Sequence, residues 1–260
     1  MLFSIRSSAL LLASFLAACS TGEATPASPD GGVTPPSAGG EASAYRVTGR
    51  VVDASGKALA NVEVVADNQA LYDANVIGVT TADGAYRIEL PEVSTSWAAT
   101  ASHVVDYHGK RYHFDLDPST KAPFAGSDGA VRDFTWKLSG RRPDDGSYGG
   151  YVAAYTEPGD ISIVATDIEL TLEPDGPLFD GTAGSTIVQK LVRTPDGDAV
   201  TDVPVGRYRI AARLPTGPLQ IRRRAQGEAP DAYAATVTAD FEPSGGLPVF
   251  DIQVEVRLPG

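Results

Sequence analysis

The stretch FDIQVEVRL, residues 250–258, decides the fold class. Large apolar side chains recur at every second position from Phe250 to Leu258, and polar or charged side chains fill the positions between them. Successive side chains of a β-strand point to opposite faces of a sheet, so this period of two predicts a strand with one buried face. The period of 3.6 residues that marks a helix is not met here.

The same alternation recurs along the chain from Tyr45 onward. Dipeptides of the Asp-Gly type separate the runs, and their glycines supply the positive φ that tight turns need. The pattern predicts an all-β protein built as two tandem β-sandwiches. Alternating positions that support it are Val47, Gly49 and Val51; Val62, Val64 and Ala66; Tyr86, Ile88 and Leu90; Phe134, Trp136 and Leu138; Ile168, Leu170 and Leu172; and Tyr208, Ile210, Ala212 and Leu214.

A polar stretch with proline and glycine, SGRRPDDG at residues 139–146, follows one of the strongest alternating runs. Such a composition is typical of a boundary between domains. We therefore expect a first sandwich over residues 44–139 and a second over residues 147–260. Each would have about a hundred residues, an ordinary size for this architecture.

The N-terminus has the layout of a secretory signal. A single basic residue, Arg6, precedes the apolar run Ala9 to Ala18, which is too short for a permanent helix across a bilayer. Leu16-Ala17-Ala18-Cys19 resembles the lipobox of bacterial lipoproteins, whose cysteine becomes the new N-terminus. The resemblance implies removal of residues 1–18 and attachment of diacylglycerol and fatty acyl chains such as palmitate at Cys19, which gives stable membrane anchoring.

Residues 19–43 are predicted to be a flexible, disordered tether behind the lipid anchor. Small and polar residues with proline and glycine dominate this segment, and Val33 is its only large apolar residue. Cys19 is the only cysteine of the chain, so the folded part can hold neither a disulfide nor a thiolate metal site. Serine rather than aspartate at position 20 implies, by analogy with lipoprotein sorting, delivery to an outer membrane if the host has one.

Two segments of the predicted first sandwich carry a family resemblance. GRVVDASGKALANVEV at residues 49–64 and TTADGAYRIELP at residues 80–91 resemble the carboxypeptidase regulatory-like domains, which are transthyretin-like β-sandwiches. The match departs from the family at Ala58, where proline is frequent, and at the insert-like stretch Asp67 to Ile77. The resemblance implies a non-catalytic accessory module, related to a broader group of carbohydrate-binding-like folds.

All three histidines of the chain, His103, His108 and His113, fall within eleven residues. Whether they could bind zinc depends on the turn between them. A two-residue turn at His108 and Gly109 places His103 and His113 on opposite sheet faces, whereas a three-residue loop places them on one face. No ligand motif is matched, and we predict no metal site here.

Signatures of catalysis are missing from the sequence. It contains no HExxH, GxSxG, GxGxxG or Walker motif. Because the chain is acidic, the sequence does not exclude a pair of carboxylates for glycoside cleavage. Asp115, Asp117 and Asp128 could gather around calcium, but turns use aspartate far more often for hydrogen bonds to the backbone. We therefore predict a non-enzymatic protein that needs no metal and no cofactor.

The charge balance bears on possible partners. The formal net charge is −12, which repels phosphates and anionic lipid headgroups, so we expect no nucleic-acid partner. The one basic cluster, Arg222 to Arg224, is predicted to be a solvated strand or turn. The expected contact with a membrane is the lipid anchor, and the further partner is an unknown protein or glycan.

Aromatic side chains decide between these two partner classes. Trp136 shares its strand parity with apolar neighbours and is predicted to be core. Trp97 begins a strand and is ambiguous, and Tyr151 and Tyr155 share one strand face near the domain junction, so these three are the candidate ligand-binding residues. The predicted function is an envelope-anchored lipoprotein that acts as a structural or protein-interaction module. The alternative is a carbohydrate-binding surface module.

Overall fold

A computed structural model describes residues 41–144, 146–224, 231–244 and 249–260. The predicted signal peptide, Cys19 and the predicted tether up to residue 40 lie outside the described residues. Within the described ranges, no helix is both long enough and apolar enough to cross a membrane.

The prediction of an all-β fold with sandwich architecture is confirmed. The described ranges hold strands and one short 3₁₀ turn, η1 (Ala165–Asp167), and no α-helix. Strands of the first half are β1 (Arg46–Asp53), β2 (Glu63–Asn68), β3 (Val76–Val79), β4 (Ala85–Glu89), β5 (Ser96–Tyr107), β6 (Lys110–Leu116), β7 (Phe124–Ala125), β8 (Ala130–Val131) and β9 (Phe134–Trp136). Strands of the second half are β10 (Gly150–Thr156), β11 (Glu169–Pro174), β12 (Ile187–Lys190), β13 (Val192–Thr194), β14 (Gly197–Val203), β15 (Arg207–Leu214), β16 (Gly217–Pro218), β17 (Gln220–Arg223), β18 (Val237–Asp240), β19 (Glu242–Pro243) and β20 (Phe250–Arg257).

The strands of the first half form two sheets. One has the order β4–β1–β8, with β9 also paired to β1, and the other has the order β3–β2–β5–β6, with β7 also paired to β5. Period-two alternation sends one side of each strand inward, because neighbouring residues face opposite ways. The core side chains that result include Val47, Val51, Val64, Trp97 and Phe134.

The second half also forms two sheets. A six-stranded sheet has the order β13–β14–β10–β20–β17, with β19 on β20, and a five-stranded sheet has the order β12–β11–β15–β16, with β18 on β15. The last strand, β20, lies between β10 and β17 and runs parallel to β10, with Tyr151 opposite Asp251 and Thr156 opposite Val256. The core of this half includes Ile168, Leu170, Leu172, Tyr208, Ile210, Phe241 and Val254.

Aromatic side chains join the two halves. In the described ranges no strand pairing links residues 46–136 to residues 150–257, and contact between the halves is made by side chains instead. The Phe179 ring stacks on Tyr107 with centroids 4.1 Å apart and meets Tyr112 edge-on at 4.6 Å, while Phe114 lies 4.8 Å from Phe250. We call these five residues the junction cluster, and none of them is more than 9% exposed.

The stretch predicted as a domain boundary is held in place by one aspartate. The Asp202 carboxylate accepts hydrogen bonds from the backbone N–H groups of Gly140 at 2.8 Å and Gly149 at 3.1 Å. Asp202 itself has a φ of 56°, in the left-handed region that aspartate tolerates better than most residues. Arg142 adds an ion pair to Asp117 at 3.3 Å. Asp202 of β14 thus holds the start of the boundary stretch at Gly140 and the chain just beyond the stretch at Gly149.

Candidate functional site

The histidine hairpin has the two-residue turn, one of the two alternatives that the sequence leaves open. Tyr107 pairs with Lys110 and Val104 with His113, and both turn residues have positive φ, 47° at His108 and 77° at Gly109. His103 and His113 therefore project from opposite faces and cannot share a metal ion.

Each histidine has its own surroundings. His103 is half-buried with its ring 4.7 Å from that of Trp136, and burial lowers the pKa of its imidazole. His108 places Nδ1 2.7 Å from Oδ1 of Asp240 in the second half, and His113 is exposed. The three side chains form no catalytic set.

The three aspartates considered for calcium do not gather. Asp117 pairs with Lys121 at 2.7 Å and with Arg142, whereas Asp115 and Asp128 are exposed elsewhere. Across the part of the chain that the structure describes, no group of three or more His, Cys, Asp or Glu side chains is placed to hold a metal ion.

The two tryptophans are both buried. Trp136 is 6% exposed, as the parity of its strand predicts. Trp97, which the sequence leaves ambiguous, is only 1% exposed because it shares the inward parity of β5 with Ala99 and Ala101. A buried indole offers no free ring face to a sugar, so Trp97 does not serve as an exposed platform for a glycan.

Tyr151 and Tyr155 lie on the outward face of β10 and are both half-exposed. The Tyr151 hydroxyl is 3.1 Å from Oγ of Ser244. The Arg224 guanidinium lies over the Tyr155 ring, 4.2 Å from its centroid. Both tyrosines thus have protein partners on the side that faces away from the core.

A second ring on the same face is contacted by two arginines. Arg222 and Arg257 lie over Tyr233, 4.4 Å and 4.0 Å from its centroid. The Tyr233 hydroxyl donates to Oε1 of Glu255 at 2.5 Å, and Arg222 Nε donates to the same oxygen at 3.0 Å. We call this surface the arginine–tyrosine face; it consists of Tyr151, Tyr155, Arg222, Arg224, Tyr233, Asp251, Gln253, Glu255 and Arg257.

The charges of the arginine–tyrosine face are arranged in two levels. Its carboxylates lie deep, because Asp251 and Glu255 are each only 7% exposed, while Arg224 is exposed and Arg257 half-buried. Burial and the neighbouring Glu255 raise the pKa of the Tyr233 hydroxyl, so it stays a hydrogen-bond donor at neutral pH. Guanidinium groups and phenol rings therefore form most of the accessible layer of this face, and the half-exposed carboxylate of Glu157 lies 3.6 Å from Nη1 of Arg257.

The sequence alone indicates only some residues of the arginine–tyrosine face. It places Arg222 to Arg224 in a solvated strand or turn, and β17 indeed includes Arg222 and Arg223. It misses Tyr233 and Glu255. The available signal is the polar half of the alternation in residues 250–258, which puts Asp251, Gln253, Glu255 and Arg257 on one face of the last strand.

Comparison with known proteins adds no identification. No family model, no curated protein and no solved structure matches the chain.

Proposed function

We propose that the chain is a non-enzymatic, envelope-anchored lipoprotein that binds a protein partner through the arginine–tyrosine face. The observation that carries the proposal is the accessible layer of three tyrosines and three arginines over one face of the six-stranded sheet, with the carboxylates of Asp251 and Glu255 buried beneath. Tyrosine and arginine are the side chains most enriched where proteins bind one another.

The face is also ordered before any partner binds. Arg222 is held by Glu255, Arg257 Nε donates to Oε1 of Gln220 at 2.9 Å, and both lie over Tyr233. Ordering of long side chains is a large entropic cost of association. Side chains already fixed by cation–π contacts and ion pairs lose less freedom on binding, which favours a specific interface.

A protein partner fits this surface better than a glycan. Stacking on a sugar needs an uncovered aromatic face, but guanidinium groups already lie over Tyr155 and Tyr233. Of the other two aromatic candidates, Trp97 is in the core, and Tyr151 is half-exposed with its hydroxyl 3.1 Å from Oγ of Ser244. The carbohydrate-binding alternative therefore becomes one outcome of the experiment below.

The anchoring part of the proposal is supported by the sequence of residues 16–19 and by the tether composition that follows. A lipid at Cys19 would keep the folded part within reach of the membrane and of envelope proteins, at an outer membrane if the host has one. We also propose that residues 44–139 are a carboxypeptidase regulatory-like domain, on the resemblance of residues 49–64 and 80–91.

Site-specific photo-crosslinking tests the interaction. A photoreactive phenylalanine analogue replaces Tyr155 in the full chain, expressed in its host envelope, and the matched control carries the same analogue at Tyr72, which is fully exposed in the first half. We expect a discrete adduct from position 155 that is absent from position 72. Arg224→Ala in the Tyr155 variant should reduce the adduct several-fold.

The nature of the adduct separates the partner classes. A protein partner adds its own peptides to the tryptic digest of the adduct, whereas a glycan partner adds none and leaves an increase in size that glycosidase removes. Equal labelling from positions 155 and 72 would reject the arginine–tyrosine face as the binding surface.

Metabolic labelling tests the anchor separately. The wild-type chain should incorporate labelled palmitate and sediment with membranes, and Cys19→Ala should do neither. Ser20→Ala is the matched control that keeps the cysteine. Labelling that persists in Cys19→Ala contradicts anchoring at this residue.

A further inference from the structure

Two loops at one end of the first half expose apolar side chains. The β2–β3 loop carries Leu71, which is 60% exposed, and Tyr72, which is fully exposed, and the β4–β5 loop carries Val93, which is 46% exposed. Folding normally removes much of the surface of such side chains from water. Two of them side by side in the middle of a loop, with a third in a loop at the same end, form a surface that a partner can cover.

A series of hydrogen bonds joins both loops to the place where the N-terminal segment enters the fold. The N–H of Tyr45 donates to the carbonyl of Gly126 at 2.7 Å, and the N–H of Gly126 donates to the carbonyl of Thr95 at 3.1 Å. The Thr95 hydroxyl donates in turn to Oδ1 of Asn68 at 3.0 Å. Thr95 belongs to the β4–β5 loop and Asn68 ends β2, so the entry point of the chain and both loops lie at the same end of the first half.

The β2–β3 loop has a fixed conformation at its base. Oδ1 of Asn68 accepts hydrogen bonds from the N–H groups of Ala70 at 3.0 Å and Leu71 at 3.1 Å. Asn68 itself is only 6% exposed. Because the backbone is already held before Leu71, the loop loses less conformational freedom when its apolar side chains are covered.

The predicted anchor indicates which partner can cover this end. A flexible tether between Cys19 and Glu41 would span about 25 Å on average. A tether of this length keeps the entry end of the fold beside the lipid at an effective concentration in the millimolar range, so even a weak contact with the membrane is populated. Tyrosine suits this position, because its ring is apolar and its hydroxyl can stay among the polar headgroups.

The charges at this end select among lipids. An exposed carboxylate, Asp73, directly follows Tyr72, and another, Glu92, directly precedes Val93. Asp128, in the β7–β8 loop at the same end, is also exposed. An anionic membrane surface repels these carboxylates, whereas a zwitterionic surface does not.

We infer that Leu71, Tyr72 and Val93 enter the headgroup region of a zwitterionic phospholipid surface, so that the first half contacts the membrane by the end at which the chain enters it. The inference rests on the anchoring part of the proposed function, because the tether brings this end to the lipid. β5 begins at this end and reaches the junction cluster with Tyr107, a length of about 35 Å. The contact therefore holds the second half and its arginine–tyrosine face away from the membrane.

Photo-crosslinking to lipid tests the contact. A photoreactive phenylalanine analogue replaces Tyr72 in the full chain, which is purified in detergent and reconstituted with phosphatidylcholine vesicles. The matched control carries the analogue at Ile161, which is 97% exposed in the second half. Mass spectrometry of the tryptic peptides should find phosphatidylcholine at position 72 and several-fold less at position 161. A lipid adduct adds too little mass to give a discrete band, so position 72 remains a valid control for a protein partner.

Two variants and a second lipid complete the test. Leu71→Ser in the chain labelled at position 72 should reduce the lipid adduct several-fold, whereas Val164→Ser, at an exposed valine of the second half, should leave it unchanged. Vesicles in which phosphatidylglycerol replaces part of the phosphatidylcholine should give less adduct.

The inference is overturned if positions 72 and 161 are labelled equally, if phosphatidylglycerol increases the labelling, or if the adduct at position 72 joins two copies of the chain. A chain that incorporates labelled palmitate yet gives no lipid adduct at position 72 also overturns it, and leaves the proposed anchor intact.

Discussion

The junction cluster and the arginine–tyrosine face are both built from aromatic side chains, and they differ in the groups that the rings contact. In the junction cluster, ring meets ring: Phe179 contacts Tyr107, Tyr112 and Phe114 within 5.5 Å. In the arginine–tyrosine face, ring meets guanidinium and stays half-exposed. Aromatic rings therefore stabilise the contact between the two halves in one region. In the other region they remain partly accessible to the proposed partner.

The energies of the two kinds of contact differ in the same direction. A buried aromatic side chain removes roughly 150–250 Å² from water, which at about 25 cal/mol per Å² is worth several kcal/mol. A cation–π contact at an exposed site contributes only about 0.5–1 kcal/mol. Substitutions in the two regions should therefore change the free energy of unfolding by very different amounts.

The largest effect is expected at the centre of the junction cluster. Phe179→Ala removes the ring that contacts the tyrosines of β5 and β6, and should lower the free energy of unfolding by about 3–5 kcal/mol. Denaturant unfolding of the full chain, followed by tryptophan fluorescence, measures the loss. A loss below about 1 kcal/mol would mean that the halves do not depend on each other through this ring.

The next effect concerns the aspartate that holds the boundary stretch. Asp202→Ala leaves the N–H groups of Gly140 and Gly149 without their acceptor and puts alanine at a φ of 56°. We therefore expect the free energy of unfolding to fall by about 1–3 kcal/mol. Asp202→Asn keeps an acceptor oxygen and should lose less. Hydrogen exchange at Gly140 should quicken in Asp202→Ala, and unchanged exchange there would contradict the proposed role of the carboxylate.

Buried tyrosines should make the stability fall at high pH. Burial raises the pKa of Tyr208 to about 12, and its hydroxyl donates to the carbonyl of Pro204 at 2.7 Å. Below pH 10 both the folded and the unfolded states keep this proton; above it, the unfolded state loses the proton first. The contribution of Tyr208 to the free energy of unfolding is therefore lost as pH rises from 10 to about 12, with a slope of at most about 1.4 kcal/mol per pH unit. Tyr208→Phe should flatten the fall in urea unfolding measured across this range, and an unchanged slope would exclude Tyr208 as its source.

The smallest change in stability is expected on the arginine–tyrosine face. Tyr155→Ala removes a half-exposed ring and one cation–π contact, so the unfolding free energy should fall by about 1 kcal/mol or less. The same variant should lose partner capture from a photoreactive analogue at Tyr151. A loss of stability as large as that of Phe179→Ala would show that the rings of this face stabilise the fold as much as those of the junction cluster.

Much of the fold follows from local pattern. Period-two alternation predicts strands such as β1, β4, β15 and β20, and the parity of β9 places Trp136 in the core. The histidine turn stays open at this level because its first residue, His108, adopts a positive φ that is more usual for asparagine or glycine. Once the pairing of Tyr107 with Lys110 is known, the positions of His103 and His113 follow.

The junction cluster and the arginine–tyrosine face both depend on contacts between distant parts of the chain. Nothing in the neighbourhood of Phe179 indicates that it meets Tyr107, and nothing near Tyr233 indicates that it meets Glu255. Alternation specifies which face a side chain occupies, but not which element covers that face. The boundary stretch shows the same limit, because its composition predicts a linker whereas Asp202, far along the sequence, holds it in place.

The position of β20 affects the order in which the second half can fold during synthesis. β20 follows β10 and β17 along the chain but lies between them in the sheet, so the six-stranded sheet lacks this strand until residues 250–257 have been synthesised. Pairings of such high contact order are slow to form. The six-stranded sheet is therefore expected to complete slowly, after the other strands of the second half have been synthesised.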